Sequence, residues 1–153
     1  MRALELKVPP VVVFLLCLVV MYWINTISTV WNVYLPMPYI VGAVCFCASG
    51  YFGLSGIMEF SKAKTSVHPV NMNKTTAVVN SGVYKISRNP MYFGLLLLLF
   101  AFAYVQQNML NFLVCAAFVL YMNRFQICVE EKHLQQKFGA EYLDYKKKVR
   151  RWI

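Results

Sequence analysis

The strongest restriction on how this chain can fold comes from four apolar stretches that are separated by more polar segments. They cover residues 8–24, 38–60, 91–105 and 109–128. A helix needs about 20 apolar residues to cross a hydrocarbon core of roughly 30 Å, because each residue adds only about 1.5 Å. The third stretch is short, so its helix is predicted to begin at Pro90 and to run into Gln106 and Gln107. The chain is therefore predicted to be an all-α integral membrane protein with about four transmembrane helices.

The composition agrees with lipid as the solvent for this chain. Hydrophobic residues make up 59% of its 153 residues and charged residues only 14%, whereas about a quarter of an ordinary soluble domain is charged. The length is typical of one domain, so residues 1–153 are predicted to form a single membrane domain. Its predicted parts are two N-terminal spans (1–60), a cytoplasmic loop (61–90), a helical hairpin (91–128) and a cytoplasmic tail helix (129–153).

The basic residues are distributed unevenly among the segments that connect the spans. They precede the first span, lie between the second and third, or lie near the end of the fourth (Arg124) and after it, while residues 25–37 and 106–108 contain none. Because cytoplasmic loops collect Lys and Arg, both termini and residues 61–89 are predicted to be cytoplasmic. The net charge of +9 then faces anionic headgroups, so membrane lipids are expected partners and nucleic acid is not.

The cysteines and histidines do not form a recognisable metal-binding pattern. All five cysteines lie within or at the edges of the apolar stretches, where they are expected to be small buried hydrophobes. His68 and His133 have no second metal-type ligand at a useful spacing. No metal site is therefore expected.

The central loop contains turn and helix-start signals. Asn80, Ser81 and Gly82 favour a turn that presents Tyr84 toward the following helix. The side chain of Asn89 is predicted to cap that helix, with Pro90 at its first position. One interpretation is a simple helix cap. The other is that the free N–H groups of this helix start, together with the neighbouring Arg88, bind an anionic group such as a carboxylate.

The tail combines an apolar stripe with a strongly charged background. The stripe consists of Ile127, Leu134, Phe138, Tyr142, Tyr145 and Val149. This spacing predicts an amphipathic helix on the membrane face, interrupted at Gly139. Glu130 and Glu131 are acids in this basic tail, and local signals indicate that they are solvated or paired with Arg124 or Lys137.

The second half of the chain contains several motifs in sequence: Gly82-Val-Tyr84, Ser87-Arg-Asn-Pro-Met-Tyr92 with Gly94, Glu130-Glu131, Phe138-Gly-Ala-Glu-Tyr-Leu-Asp-Tyr145 and Val149-Arg150. These motifs resemble those of the isoprenylcysteine carboxyl methyltransferase family, which is related to membrane phospholipid N-methyltransferases. They occur in the family's order over residues 65–151. The resemblance implies methyl transfer from S-adenosylmethionine to a lipid-accessible or small acceptor: a thiol, an amine or a carboxylate.

The resemblance also implies which residues form the site. The cofactor contacts would be Thr76, Ala77, Val78, Val79, Tyr84, Asn89, Pro90, Met91, Tyr92 and Glu130. An aromatic face suits the sulfonium cation of the cofactor, and the helix start suits its carboxylate. The candidates for assisting catalysis are Arg88, Tyr92 and Glu131, the last two by helping to deprotonate a thiol or amine acceptor.

The chain departs from the family pattern at two positions. Asn89 stands where the prenylcysteine enzymes have a histidine, so any role that needs an imidazole is absent. Gln126 stands where they have a substrate-binding arginine, and Arg124 is the nearest cation. Arg124 and Gln126 are therefore the candidate substrate-binding residues, and prenylcysteine is predicted to be a poor acceptor.

Two other classes of function are compatible with parts of the sequence. A non-enzymatic membrane protein that binds lipid or a partner would explain the spans and the basic tail, but would leave the motifs as coincidence. A membrane reductase that uses a nicotinamide cofactor would resemble the sterol reductases, which share a similar C-terminal core. Those reductases are much longer chains, and the length of 153 residues argues against that class.

Overall fold

A computed structural model describes residues 6–63 and 77–153 of the protein. Within these ranges the chain is helical. The helices are α1 (Pro10–Ile27), α2 (Pro38–Lys62), α3 (Pro90–Gln106), α4 (Met109–Tyr121), α5 (Cys128–Phe138) and α6 (Ala140–Lys148). A 3₁₀ turn covers Gly82–Lys85, and a π-helical segment, Met122–Ile127, joins α4 to α5. The predicted all-α class is confirmed.

The apolar helices have the lengths that a membrane protein requires. By length and composition, three are able to cross a membrane: Pro10–Ile27, Pro38–Lys62 and the continuous helix Met109–Phe138. The fourth, α3, is a shorter apolar helix of 17 residues that begins at Pro90, as predicted, and ends at Gln106, while Gln107 forms its left-handed C-cap. The 30-residue helix Met109–Phe138 is about 45 Å long, so its last turns extend beyond a hydrocarbon core of roughly 30 Å.

Proline begins three of the helices. Pro10, Pro38 and Pro90 each occupy the first helical turn, where the missing N–H removes no hydrogen bond and the fixed φ angle favours the helix. The predicted cap at Asn89 is wrong, because its side chain makes no capping bond. Its amide Nδ2 donates instead to the carbonyl of Arg151 at 3.0 Å. The first N–H groups of α3 are therefore left without a side-chain cap.

Helices α2 and α3 approach each other through small residues. A Cβ atom on Gly94 of α3 would lie 3.1 Å from the carbonyl oxygen of Ser49 on α2, and a Cβ on Gly42 of α2 would lie 2.7 Å from Val105. Small residues permit this close approach, which favours van der Waals packing in lipid. Helix α2 is thereby held against the helix that begins at Pro90.

Helices α1, α3 and α4 enclose the main apolar core. Its buried members are Val13, Met21, Leu99, Ala103, Cys115, Phe118, Met122 and Ile127. At the end of the bundle distant from the basic residues, the α1–α2 loop is tied to the α3–α4 turn. Asn108 donates to the carbonyl of Ser28 at 2.7 Å, and the amide N–H of Val33 donates to the carbonyl of Gln107 at 2.8 Å. These bonds satisfy polar groups for which lipid offers no hydrogen-bond partner.

The tail contains two helices separated at Gly139, as the sequence predicted. Gly139 has a φ of 52°, a conformation that glycine adopts without steric cost. Tyr142, Tyr145 and Val149 of the apolar stripe are buried, and Val78 from the central loop packs against them. The tail therefore covers part of the loop that precedes α3.

Candidate active site

Glu131 is the buried centre of a network of charges. It is 5% exposed, and its carboxylate accepts from Arg88 at 2.6 Å and from Arg151 at 2.8 and 3.0 Å. The ammonium of Lys146 lies 3.3 Å away. None of these three cations was predicted as its partner. A buried carboxylate is stable only when its lone pairs are satisfied, and three cations satisfy this one.

The same network fixes the C-terminal segment over the start of α3. One guanidinium nitrogen of Arg88 donates to the carbonyls of Lys146 and Val149 at 3.0 and 2.7 Å. The backbone N–H of Arg88 donates to the carbonyl of Arg150 at 3.0 Å. Arg88 therefore holds the tail in place with both its side chain and its backbone.

Glu130 has different surroundings from its neighbour. The hydroxyl of Tyr92 donates to its carboxylate at 2.6 Å, and both side chains are half-buried. Among residues 6–63 and 77–153, Glu130 forms no ion pair. Successive residues of a helix point about 100° apart, which is why two adjacent acids face different environments.

Tyr84 links α2, the start of α3 and the tail. Its ring packs edge-on against Phe60 at 5.3 Å, and its carbonyl accepts from the hydroxyl of Tyr145 at 2.7 Å. A Cβ on Gly56 would lie within 4 Å of the Tyr84 hydroxyl and of Pro90. Burial raises the pKa of Tyr84 well above its ordinary value, and Tyr145, Glu130 and Glu59 raise it further. Tyr84 is thus within electrostatic reach of Glu130.

An acid at the end of α2 anchors the loop before Tyr84. Glu59 accepts from the hydroxyl of Ser81 and from the ammonium of Lys62. Gly82 has a φ of 53°, and a Cβ there would lie 2.7 Å from the Glu59 carboxyl carbon. The sequence places Glu59 near the end of an apolar stretch. No role was predicted for Glu59 from that position.

The remaining predicted cofactor residues occupy different positions around this region. Val79 is buried in one apolar cluster with Tyr84, and Val78 packs against the tail cluster. Ala77 is exposed and Met91 is half-buried at the start of α3. Thr76 lies outside the described residues.

The structure separates the two predicted substrate residues. Arg124 is exposed, with its guanidinium carbon 6.0 Å from the centre of the Phe125 ring. Gln126 is only 2% exposed and lies beside Tyr92. Among residues 6–63 and 77–153, its amide Nε2 makes no hydrogen bond of ordinary geometry, and Tyr92 is close enough to interact with this side chain. Both residues belong to the π-helical segment, a type of segment that is frequent at functional sites.

Several residues of the network were missed by sequence reasoning. Asn123 accepts from the indole of Trp152 at 3.1 Å and from Arg151 at 3.4 Å. Hydrogen bonding to Glu131 raises the pKa of Arg151. Burial, followed by the charge of Glu131, raises the pKa of Tyr142 to about 12. The basic tail was interpreted only as a lipid-facing charge, and nothing in its local pattern distinguished Arg151 from its neighbours.

Comparisons with known proteins agree on one kind of enzyme. The model of the phospholipid methyltransferase family matches residues 37–141. The protein-S-isoprenylcysteine O-methyltransferase of Saccharomyces cerevisiae is 41% identical over 76 residues, which are 47% of this chain and 30% of that protein. The enzyme of the same name from Schizosaccharomyces pombe is 30% identical over 107 residues, 67% of this chain and 44% of that protein. The match therefore spans less than half the length of either yeast protein.

An uncharacterised protein of Haemophilus influenzae is 49% identical over 63 residues, which are 41% of this chain and the whole of that protein. No solved structure matches the chain significantly. Within the part of the chain that the structure describes, no group of three or more His, Cys, Asp or Glu residues is arranged to hold a metal ion.

Proposed function

Because the chain belongs to the phospholipid methyltransferase family, we propose that it transfers a methyl group from S-adenosylmethionine to a lipid-accessible or small acceptor. The observation that carries this proposal is the grouping of Tyr84, the start of α3 and the Tyr92–Glu130 pair at one end of the bundle. These groups come from three separate segments of the chain. Their chemistry is complementary to the charges of the cofactor.

The residues present suit this cofactor. The first N–H groups of α3 have no side-chain cap, and such groups bind carboxylates. The rings of Tyr84 and Tyr92 offer aromatic faces to a sulfonium cation. One oxygen of Glu130 accepts from Tyr92, and the other is available to an ammonium or hydroxyl group. When bound, S-adenosylmethionine supplies a methyl group that is already activated by its positive sulfur.

Given such a donor, the main task of the protein is to orient the reactants. Holding two reactants in line accounts for roughly 7 to 11 kcal/mol of barrier reduction. The network of Arg88 and Glu131 serves this purpose by fixing the tail against the loop before α3. We therefore assign Arg88 and Glu131 a positioning role within the site.

Binding of S-adenosylmethionine to the purified protein in detergent tests the proposal. Glu130→Ala is expected to weaken binding by about tenfold or more, because a hydrogen bond to a charged group contributes about 1.5–3 kcal/mol. Glu141→Ala is the matched control, because Glu141 is an exposed acid on α6. Equal, small effects of the two changes would show that Glu130 does not contact the cofactor. Failure of the wild-type protein to bind the cofactor would favour the non-enzymatic alternative.

A further inference from the structure

The turn at Ser81 and Gly82 rests on the side chain of Glu59 at the end of α2. The hydroxyl of Ser81 donates to one carboxylate oxygen of Glu59. Gly82 has a φ of 53°, and a Cβ there would lie 2.7 to 3.0 Å from three side-chain atoms of Glu59. Glycine permits both this backbone conformation and this close approach. A hydrogen bond and a steric contact therefore fix the turn to the same carboxylate.

The second oxygen of Glu59 has an ordinary surface partner. It accepts from the ammonium of Lys62 at 2.7 Å, three residues later on the same helix. Asp144 and Lys147 on α6 form a pair of the same spacing at 3.0 Å, and exposed pairs of this kind contribute little to stability. What distinguishes Glu59 from Asp144 is the bond across to Ser81, which is 22 residues away.

The turn leads directly to the aromatic residue of the candidate site. The backbone N–H of Tyr84 donates to the carbonyl of Ser81 at 3.0 Å, and Tyr84 is buried in one apolar cluster with Val79, against which Phe60 packs. Glu59 is also one of the charges that raise the pKa of Tyr84, so the two groups are within electrostatic reach. The predicted cofactor residues Val79 and Tyr84 thus lie on either side of the turn that Glu59 holds.

We propose that Glu59 is a positioning residue: by holding the turn at Ser81 and Gly82 against α2, it keeps Val79 and Tyr84 in the arrangement that binds S-adenosylmethionine. The proposal rests on the proposed function and adds to the site an acid outside all the motifs of the second half of the chain. Glu59 acts through the turn and does not itself contact the cofactor. Without this contact the turn leaves α2 for part of the time, and the apparent affinity falls with the fraction that remains in place.

Binding of two ligands to the purified protein in detergent is the first test. S-adenosylmethionine carries a sulfonium charge, whereas S-adenosylhomocysteine is its neutral thioether counterpart. Ser81→Ala breaks the bond but keeps the charge of Glu59, and it is expected to weaken both ligands equally, by about threefold to tenfold. Glu59→Gln is expected to weaken both at least as much. A loss in Ser81→Ala that is confined to S-adenosylmethionine would show a charge effect in place of positioning and would overturn the proposal.

Two further variants are the controls for this test. Ser81→Thr keeps the hydroxyl, and the extended backbone of Ser81 accommodates a β-branched residue, so binding is expected to be retained. Asp144→Asn breaks the matched surface pair on α6 and is expected to bind both ligands as the wild type does. If Asp144→Asn weakens binding as much as Glu59→Gln, the assignment of Glu59 is refuted.

Amide hydrogen exchange of the cofactor-free protein is the second test. The N–H groups of Tyr84 and Ile86 donate within the turn, and they are expected to exchange faster in Ser81→Ala and Glu59→Gln than in Ser81→Thr. Faster exchange with unchanged ligand binding would show that the contact is only structural and would overturn the proposal. Failure of the wild type to bind either ligand would instead remove the proposed function, and this role of Glu59 with it. If the wild type binds both ligands and the variants bind equally well, only the role of Glu59 fails.

Discussion

At the scale of single residues, the environment of each charged side chain determines its role more than its type does. Two adjacent glutamates share one helical turn, yet one is held by three cations and the other by a phenol. Likewise, Arg88 is enclosed in the network while Arg124 and Arg150 are exposed. Of these three guanidinium groups, the described structure shows only that of Arg88 connecting the tail to the loop before α3.

Arg88→Met is expected to destabilise the protein more than the same substitution at an exposed cation. It removes a partner of the buried Glu131 and the bonds to the carbonyls of Lys146 and Val149. The expected loss is at the lower end of the about 3–5 kcal/mol typical of a broken buried pair, because Arg151 and Lys146 still face Glu131. Thermal unfolding in detergent measures it, with Arg150→Met as control. Similar midpoints for both variants would contradict the network's structural importance.

The class of acceptor also depends on single residues. Arg88 and Arg151 are paired with Glu131, Arg124 is exposed, and Gln126 provides no charge. A carboxylate would then be left without a cation in a partly desolvated site, which is costly. We expect a farnesylated cysteine analogue to be methylated poorly beside a small thiol or a phospholipid amine. Efficient formation of base-labile methyl ester would show that one of these arginines takes the missing role.

At the scale of elements, the close contact between α2 and α3 holds the two sides of the site together. Helix α2 contributes Glu59, Phe60 and Gly56, and α3 contributes Pro90 and Tyr92. Small residues along the interface permit this approach. An added methyl group at the tightest backbone contact would push the helices apart.

Gly94→Ala tests this contact. The new Cβ would lie 3.1 Å from a backbone oxygen of Ser49, and overpacking of this kind costs about 1–3 kcal/mol. Gly50→Ala on α2 is the matched control, because nothing lies within 4 Å of its Cβ position. Alanine favours a helix over glycine by about 1 kcal/mol, so the control is expected to be neutral or stabilising. Unfolding midpoints in detergent distinguish the two, and equal midpoints would refute the close-contact argument.

At the scale of the whole molecule, the bundle has one polar, basic end and one end closed by asparagines. The amide N–H of Leu6 donates to the carbonyl of Phe125 at 3.2 Å, so the start of the described chain and the end of the fourth apolar stretch share the basic end. The candidate site is at this end as well. Anionic headgroups would therefore lie near the candidate site if this end faces the cytoplasm.

The orientation of the bundle is open to direct measurement. Two single-cysteine variants, Lys85→Cys and Lys147→Cys, are compared. Each is expected to react with an impermeant maleimide added from the cytoplasmic side, because cytoplasmic loops collect basic residues. A cysteine at Tyr34, which is 98% exposed in the α1–α2 loop, is expected to react only from the opposite side. A background without the five natural cysteines provides the control. Labelling of Lys85 and Lys147 positions from opposite sides would overturn the predicted topology.

The sequence by itself determined the helices, because their signals are local. Apolar runs set the spans, prolines set three helix starts, and Gly139 sets the break in the tail. The motifs around Tyr84, Tyr92 and Glu130 also identified the family. Each of these signals depends on residues within a few turns of one another, so pattern and chemistry suffice.

Only the tertiary structure decided which charges meet. Arg88 and Glu131 are 43 residues apart, and Asn89 reaches a carbonyl 62 residues away. No local pattern encodes such contacts, because they depend on how α2, α3 and the tail pack. Gln126 and Arg124 both belong to the π-helical segment, yet the packing buries Gln126 and leaves Arg124 exposed. The difference between Glu130 and Glu131 arises in this way: adjacent positions on a helix face opposite surroundings once the neighbouring segments are in place.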